Sequence, residues 1–292
     1  MNATDLQRFE SHRPLMFSIA YRMLGSFAEA EDMLQEAFLR YQNTARNEIV
    51  SVKAFLSAMV TRLCINRLAS AQNQRETYIG PWLPEPISTL QEESIDTVRH
   101  VELHESLSMA FLVLLEQLTP LERAVFLLRQ VFDYEYDEIA EMVGNDEVAC
   151  RQLFSRAKKH ISENRPRFKS DPAVQREMLE RFLAAVRAGE IDGLLQLLSE
   201  DVTLWADGGG KARGAALEPL HGCETVARFV IASPRLAGDQ LETEIGLVNG
   251  EPALLLRAGG QTRFVVMISV DRTRVCEIRI MGNPDKLKGV DK

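Results

Sequence analysis

Tryptophan and cysteine are scarce in this sequence, with two and four residues among 292. Cys64, Cys150, Cys223 and Cys276 lie far apart and form no CxxC pair, which argues against a zinc ribbon or a disulfide framework. None of the five histidines joins them in a ligand cluster, so no metal site is expected and no cofactor is implied. No apolar run reaches the roughly 18 residues of a membrane helix. The opening MNATDLQRFESHRP lacks the apolar stretch of a signal peptide. A cytoplasmic protein with structural thiols and no membrane contact is the expectation. Positive charge is also in deficit: 34 Lys and Arg stand against 42 Asp and Glu, a net −8, which argues against a surface coated for DNA.

What is present is a globular balance, 46% apolar and 26% charged, in a chain long enough for about two or three modules of roughly 100–150 residues. The net charge hides local asymmetry. Ser51 to Arg75 holds four basic residues, Lys53, Arg62, Arg67 and Arg75, and no acidic one. Glu147 to Lys169 holds seven basic and two acidic residues, a local balance of +5. Between them, Glu85 to Glu105 holds six acidic residues and one arginine. Two basic islands with an acidic connector suggest two nucleic-acid contacts made by one chain. Ordinary solvated helix faces give the same pattern, and charge alone does not choose.

Periodicity shows what carries the islands. Ser26 and Glu29 make a capping box opening a helix to about Asn43. Ala30, Met33, Leu34, Ala37, Phe38 and Tyr41 recur at helical spacing as its core face, and Glu29, Asp32, Gln35, Glu36 and Arg40 form the other. Ser51 caps a further helix with the stripe Val52, Phe55, Leu56, Met59, Leu63 and Leu68; Arg62, Asn66 and Arg67 lie on its outer side. Thr119-Pro120-Leu121-Glu122 joins a capping box to proline at the first helical position, predicting a helix to about Val131. DYEYDEIAEMVGNDEVACRQLFSRAKKHI then predicts helix, tight turn, helix. Gly144 stops the first, and Asn145 or Asp146 caps the second. Cys150, Leu153, Ala157 and Ile161 share one face, leaving Arg151, Gln152, Ser155, Arg156 and Lys159 on the other. Arg and Gln there can read base edges in a major groove. A two-helix packing unit with a basic surface is the alternative.

The run AEAEDMLQEAFLRYQN, the basic helix after it, and LTPLERAVFLLRQVFDYEYDEIAEMVGNDEVACRQLFSRAKK resemble, in that order, bacterial sigma factors of the extracytoplasmic-function group. The likeness covers about Arg8 to Arg167. It implies region 2 over 8–76 and region 4, with its helix-turn-helix, over 101–168, binding core RNA polymerase and promoter DNA. It assigns polymerase binding to Asp32, Gln35, Glu36 and Arg40. The −10 element falls to Arg62, Asn66, Arg67 and Arg75 with the loop Thr44 to Glu48, and the −35 element to Arg151, Gln152, Ser155, Arg156 and Lys159. Tyr41 stands where many relatives have tryptophan. A −8 chain binds free duplex poorly, so reliance on polymerase suits the charge.

A third module spans 172–288. Helical patterns over Val174 to Val186 and Leu194 to Leu198 precede a strand at VTLWA, and a helix runs from about Cys223 to Ile231. Strand-like LETEIGLV, PALLLRA, TRFVVMISV and VCEIRIM follow, the first two joined by an Asn249-Gly250 hairpin turn. This α+β order resembles the SnoaL-like cone fold. Enzymes of that fold use Asp and His inside the cone. His221, Asp207 and Trp205 are the nearby residues here, but fold alone does not imply chemistry, and no enzymatic activity is expected. An unknown small ligand in the cone remains open.

The stretch WADGGGKARG looks like a phosphate loop and fails twice. That loop needs glycine where Trp205 stands and Ser or Thr where Ala212 stands. Asp207, Gly208, Gly209, Gly210 and Lys211 belong instead with two other motifs. One is WLPEP (Trp82, Leu83, Pro84, Glu85, Pro86) in a linker over 77–100, and the other is NPDKL (Asn283, Pro284, Asp285, Lys286, Leu287) after the last strand. Together they resemble the signatures of the sigma-factor subgroup with a fused SnoaL-like domain. The prolines stiffen WLPEP into an extended segment whose tryptophan is costly to leave uncovered. Lys211 and Lys286 are placed to meet the acidic connector. A solvent-side turn and a frayed tail are the plainer alternative.

The expected protein is therefore multidomain: two all-α sigma modules followed by an α+β SnoaL-like cone domain. The expected function is a sigma factor whose C-terminal domain docks on its own sigma core and adjusts its activity. The rival is a DNA-binding regulator fused to a small-molecule-binding or isomerase-like domain.

Overall fold

The computed structural model describes residues 3–44, 49–75, 78–88, 106–164, 171–237 and 241–291. The chain divides into two compact units, one of Met1–Glu76 with Gln91–Arg165, the other of Thr77–Leu90 with Pro166–Lys292.

The first unit is helical. α1 (Ala3–Leu24) carries Pro14 inside it and buries Phe9, Met16, Ile19 and Met23. α2 (Phe27–Asn43) starts at Ser26, whose side chain accepts from the Glu29 amide at 3.1 Å. α3 (Val52–Arg75) is capped by Ser51 and packs on α1. α4 (Met109–Leu115) and α5 (Pro120–Gln130) follow; α5 begins at the full Thr119–Glu122 capping box.

α6 (Tyr136–Val143) ends at Gly144, whose φ of 74° and ψ of 37° are left-handed values that glycine adopts without a Cβ penalty. Asp146 then caps α7 (Glu147–Asn164) by accepting from the Ala149 amide at 2.7 Å. α6 and α7 are the helix-turn-helix. α6 also packs on α3, so α3 is covered on two sides. This explains why Ser57 and Thr61 are buried along with the apolar stripe.

In the second unit, Asp171 caps α8 (Pro172–Ala188), Gly189 ends it, and α9 (Ile191–Leu197) runs into β1 (Leu198–Asp207). After β2 (Leu220–His221) and α10 (Cys223–Ala237) come β3 (Glu242–Val248), β4 (Glu251–Ala258), β5 (Gln261–Asp271) and β6 (Arg274–Met281). The sheet order is β2-β1-β6-β5-β4-β3, with β1 parallel to β6 and all other pairs antiparallel. Register shifts within β1–β6, β4–β5 and β5–β6 are irregularities of the kind at which a sheet bends. The core lies between its inner face and the three helices, and buried Gln175 ties α8 to the carbonyl of Ile268 at 2.7 Å.

Asn249 and Gly250 both have positive φ, 54° and 77°, as a type I′ hairpin turn requires. Residues 78–88 belong to this unit, laid against it as an extended segment. The Asn249 amide donates to the Ile87 carbonyl at 3.0 Å, and Ser88 bridges Val248 and donates from its amide to the carbonyl of Gly289.

Candidate functional site

On α7, Arg151, Gln152, Ser155, Arg156 and Lys159 are all exposed on one face, opposite buried Cys150, Leu153, Ala157 and Ile161. Arg151 is not loose. Its guanidinium lies 4.4 Å from the Tyr136 ring centre and 3.0 Å from Glu147, while Arg129 approaches the same ring at 5.3 Å. Arg156 pairs with Glu122 at 3.2 Å and Lys159 with Glu163 at 3.9 Å. Such contacts order long side chains at little energetic cost, since exposed pairs contribute only about 0–1 kcal/mol.

Asp32, Gln35 and Arg40 are exposed on α2, with Glu36 half-buried and paired to Arg40 at 2.8 Å. Leu39, 56% exposed, sits among them. The sequence reading overlooked it because a single outward leucine breaks no periodicity.

On α3 the expected −10 residues divide. Asn66 is exposed, and Arg67 pairs with Glu29 of α2 at 2.7 Å. Arg62 donates from Nε to the carbonyl of Met142 at 2.7 Å and from Nη2 to that of Glu141 at 2.5 Å. It thereby satisfies the C-terminal carbonyls of α6, where the helix dipole favours a cation. The side chain of Arg75 and residues 45–48 lie outside the described residues. Further bonds join the two helical modules: Tyr134 donates to Ser57 at 2.9 Å, Arg22 to Ser106 at 2.9 Å, and Arg123 to the Met23 carbonyl at 2.6 Å.

The three odd motifs converge inside the second unit. Asp207, at the end of β1, is fully buried. Its Oδ1 accepts from the Tyr78 hydroxyl at 2.5 Å, and its Oδ2 accepts from the Leu83 amide and from Lys286 Nζ, both at 2.8 Å. Its backbone carbonyl accepts from the amides of Gly282 and Asn283. Lys286 Nζ also donates to the Leu83 carbonyl at 2.7 Å and lies 4.2 Å from the Trp82 ring centre and 4.7 Å from that of Tyr78. Asn283 Nδ2 donates to the Tyr78 hydroxyl at 2.8 Å. Burial, and then the bond to Asp207, push the Tyr78 phenol well above its ordinary pKa.

The glycines are needed for clearance. A Cβ on Gly209, whose φ is +55°, would lie 2.7 Å from Asn283 Cγ and 3.0 Å from the Tyr78 oxygen; one on Gly210 would lie 3.0 Å from Ile79 Cδ1. Leu83, Pro84, Glu85, Pro86 and Leu287 are buried and Trp82 is half-buried. Lys286 meets the backbone of Leu83 and the carboxylate of Asp207, and Lys211 pairs with Asp285; the connector's acids beyond Ser88 lie outside the described residues. Tyr78 and Asn249, which takes the Ile87 amide on its side-chain oxygen at 3.2 Å, belong to the same clamp. They carry no motif of their own.

Asp207 and His221 do not form an acid–base pair. The carboxylate is spent on three bonds, while His221 is exposed on β2 beside Thr203 at 3.2 Å. Trp205 is covered by the guanidinium of Arg279 at 5.3 Å.

Residues 8–74 match the family Sigma-70 region 2, and residues 108–161 match Sigma-70, region 4. The ECF RNA polymerase sigma factor SigJ of Mycobacterium tuberculosis is 36% identical over 295 residues, covering 98% of this chain and 94% of its own. The chain belongs to the ECF RNA polymerase sigma factors.

The probable SigI of the same organism is 30% identical over 96% of this chain and 93% of its own. The crystal structure of SigJ superposes with a TM-score of 0.73 at 33% identity, covering 98% of this chain and 99% of that one. This sigma factor therefore directs transcription initiation through core RNA polymerase and promoter DNA. It carries a SnoaL-like α+β domain after its two helical modules. None of its described helices is long and apolar enough to cross a membrane.

Proposed function

We propose that this sigma factor reads the −35 element with Arg151, Gln152, Ser155, Arg156 and Lys159. In this reading it holds polymerase through Asp32, Gln35, Glu36, Arg40 and the neighbouring Leu39, and grips the −10 strand with Arg62, Asn66, Arg67 and Arg75. The C-terminal domain regulates it by claiming the segment that joins the two helical modules. The observation carrying this reading is the clamp: Asp207 and Lys286 hold Leu83 by its amide and by its carbonyl. A segment fixed at both backbone groups of one residue cannot swing freely, so the reach between regions 2 and 4 depends on the domain behind it.

The carboxylate and lysine are committed to that role, which favours regulation over catalysis for this domain. Run-off transcription with core polymerase tests the proposal. The full chain is compared with Asp207→Asn and with a chain ending at Gly282. Altered output with unchanged promoter choice supports clamp regulation. Identical output from all three overturns it.

A further inference from the structure

Phe229, Leu241, Leu256, Phe264 and Ile280 are each only half-buried, and all five line one cavity of about 70 Å³ in the C-terminal domain. That is room for about five water-sized spheres at the 10–15 Å³ each requires. Apolar walls attract water poorly, so such a space is worth filling with hydrocarbon. One strong polar group stands at its edge. Arg213 is exposed, lines the cavity, and has no ion pair or hydrogen bond among the described residues. Of the other polar side chains of the lining, Ser233 is turned to its own helix and donates to the Val230 carbonyl, and the Asp207 carboxylate is taken up by Tyr78, Leu83 and Lys286.

The geometry points to a binding site for a short-chain carboxylate, its acyl tail against Phe229, Leu256 and Phe264 and its carboxylate on Arg213. A tail of about five carbons suits the volume. A planar guanidinium suits the head group, which it can bind through two parallel N–H bonds.

The site is built on the clamp. Asp207 and Gly282 are part of the cavity wall, and the Gly282 amide donates to the Asp207 carbonyl at 2.8 Å. A Cβ on Gly282 would lie 2.8 Å from Phe264 Cε1 and 3.2 Å from the Ala212 Cβ. The Phe264 ring therefore rests on the backbone that leads directly into Asn283, and Asn283 holds Tyr78. A tail packed on Phe264 stiffens that backbone and, through it, the bond from Leu83 to Asp207. That the clamp affects transcription rests on the proposed function above. The ligand site and its link to Leu83 do not.

The test uses the full-length protein and three probes: hexanoate, its neutral isostere hexanamide, and acetate, which has the head without the tail. Saturation-transfer NMR titrations are expected to show hexanoate binding at least about tenfold tighter than either of the others, as a charged bidentate contact plus a buried tail should give. Arg213→Gln should bring hexanoate and hexanamide to the same affinity, and Ser233→Phe, which fills the cavity, should abolish binding of both. Hydrogen exchange at the Leu83 amide should slow with hexanoate and not with acetate. Absence of hexanoate binding, or binding indifferent to both substitutions, overturns the site. Binding that leaves the Leu83 amide unchanged overturns the link.

Discussion

Lys286 neutralises Asp207 in the interior of the C-terminal domain, with Nζ 2.8 Å from Oδ2 and side-chain exposures of only 8% and 0%. A pair taken this far out of water is sustained by its other bonds: the phenol of Tyr78 and the amide of Leu83 on one partner, the Leu83 carbonyl and two aromatic rings on the other. Removing one member leaves the other charged and buried. Lys286→Met should cost about 3–5 kcal/mol in urea unfolding of the C-terminal domain, and Asp207→Asn with Lys286→Met together less than the sum of the two singles. Additive costs would show that the pair is not coupled.

Trp82 offers its ring face to Lys286, whose Nζ lies 4.2 Å from the ring centre. Trp82→Phe should retain much of the contact, whereas Trp82→Ala should lose about 1–2 kcal/mol of it. The readout is hydrogen exchange over residues 80–88. Exchange in Trp82→Ala should approach that of a chain ending at Arg167, and transcription should rise as the connector is released. Equal exchange in the full and the shortened chain would remove the clamp from consideration.

Alkaline pH should loosen the same site through Tyr78. Its pKa in the fold is raised above the ordinary 10.0, so the fold favours the protonated phenol. The stability this gives is fully present below about pH 10 and is lost as pH climbs through the raised value. Unfolding midpoints should therefore be flat from neutral pH to about pH 9 and fall beyond pH 10, with Tyr78→Phe falling less. A steeper fall in Tyr78→Phe would contradict the assignment.

Promoter reading should depend on Arg151 and Arg156. Substituting either by Ala is expected to cost about 1–3 kcal/mol at particular −35 bases in filter-binding or run-off competition, with other positions unaffected. Tyr136→Leu should reproduce part of the Arg151 loss because it removes the ring on which that guanidinium rests. A uniform loss across promoters would instead mean backbone contact only.

Asp32→Lys combined with Glu36→Lys should abolish co-purification with core polymerase while leaving the helical spectrum intact. Both side chains lie outside the core, and Glu36 gives up only a surface pair with Arg40. Normal core binding by that variant would move the polymerase contact to another face.

What the sequence disclosed is mostly what neighbours along the chain decide. Ser26, Thr119, Gly144 and the Asn249-Gly250 turn act within four residues of themselves, and each was readable as a cap, stop or turn. The motif clusters were readable too, but their meeting was not. Leu83 and Asp207 are 124 residues apart, and no periodicity encodes such a contact. Tyr78 was missed because one tyrosine beside a polar linker has no pattern to belong to. Arg62 was assigned to DNA from its outward position on α3. The structure shows that the outside of α3 at that point is also where α6 ends.

The segment 78–88 is threaded between the two halves of the helical unit in sequence, yet it completes a domain translated after both. On the ribosome, Leu83 emerges 124 residues before Asp207 and 203 before Lys286. At about 5–20 residues per second, Leu83 waits roughly 6–25 seconds for Asp207. In the last third of that interval the nascent chain holds both promoter-binding modules with nothing gripping the strand between them. Each molecule thus passes through a brief unclamped youth before Asn283 and Lys286 close it.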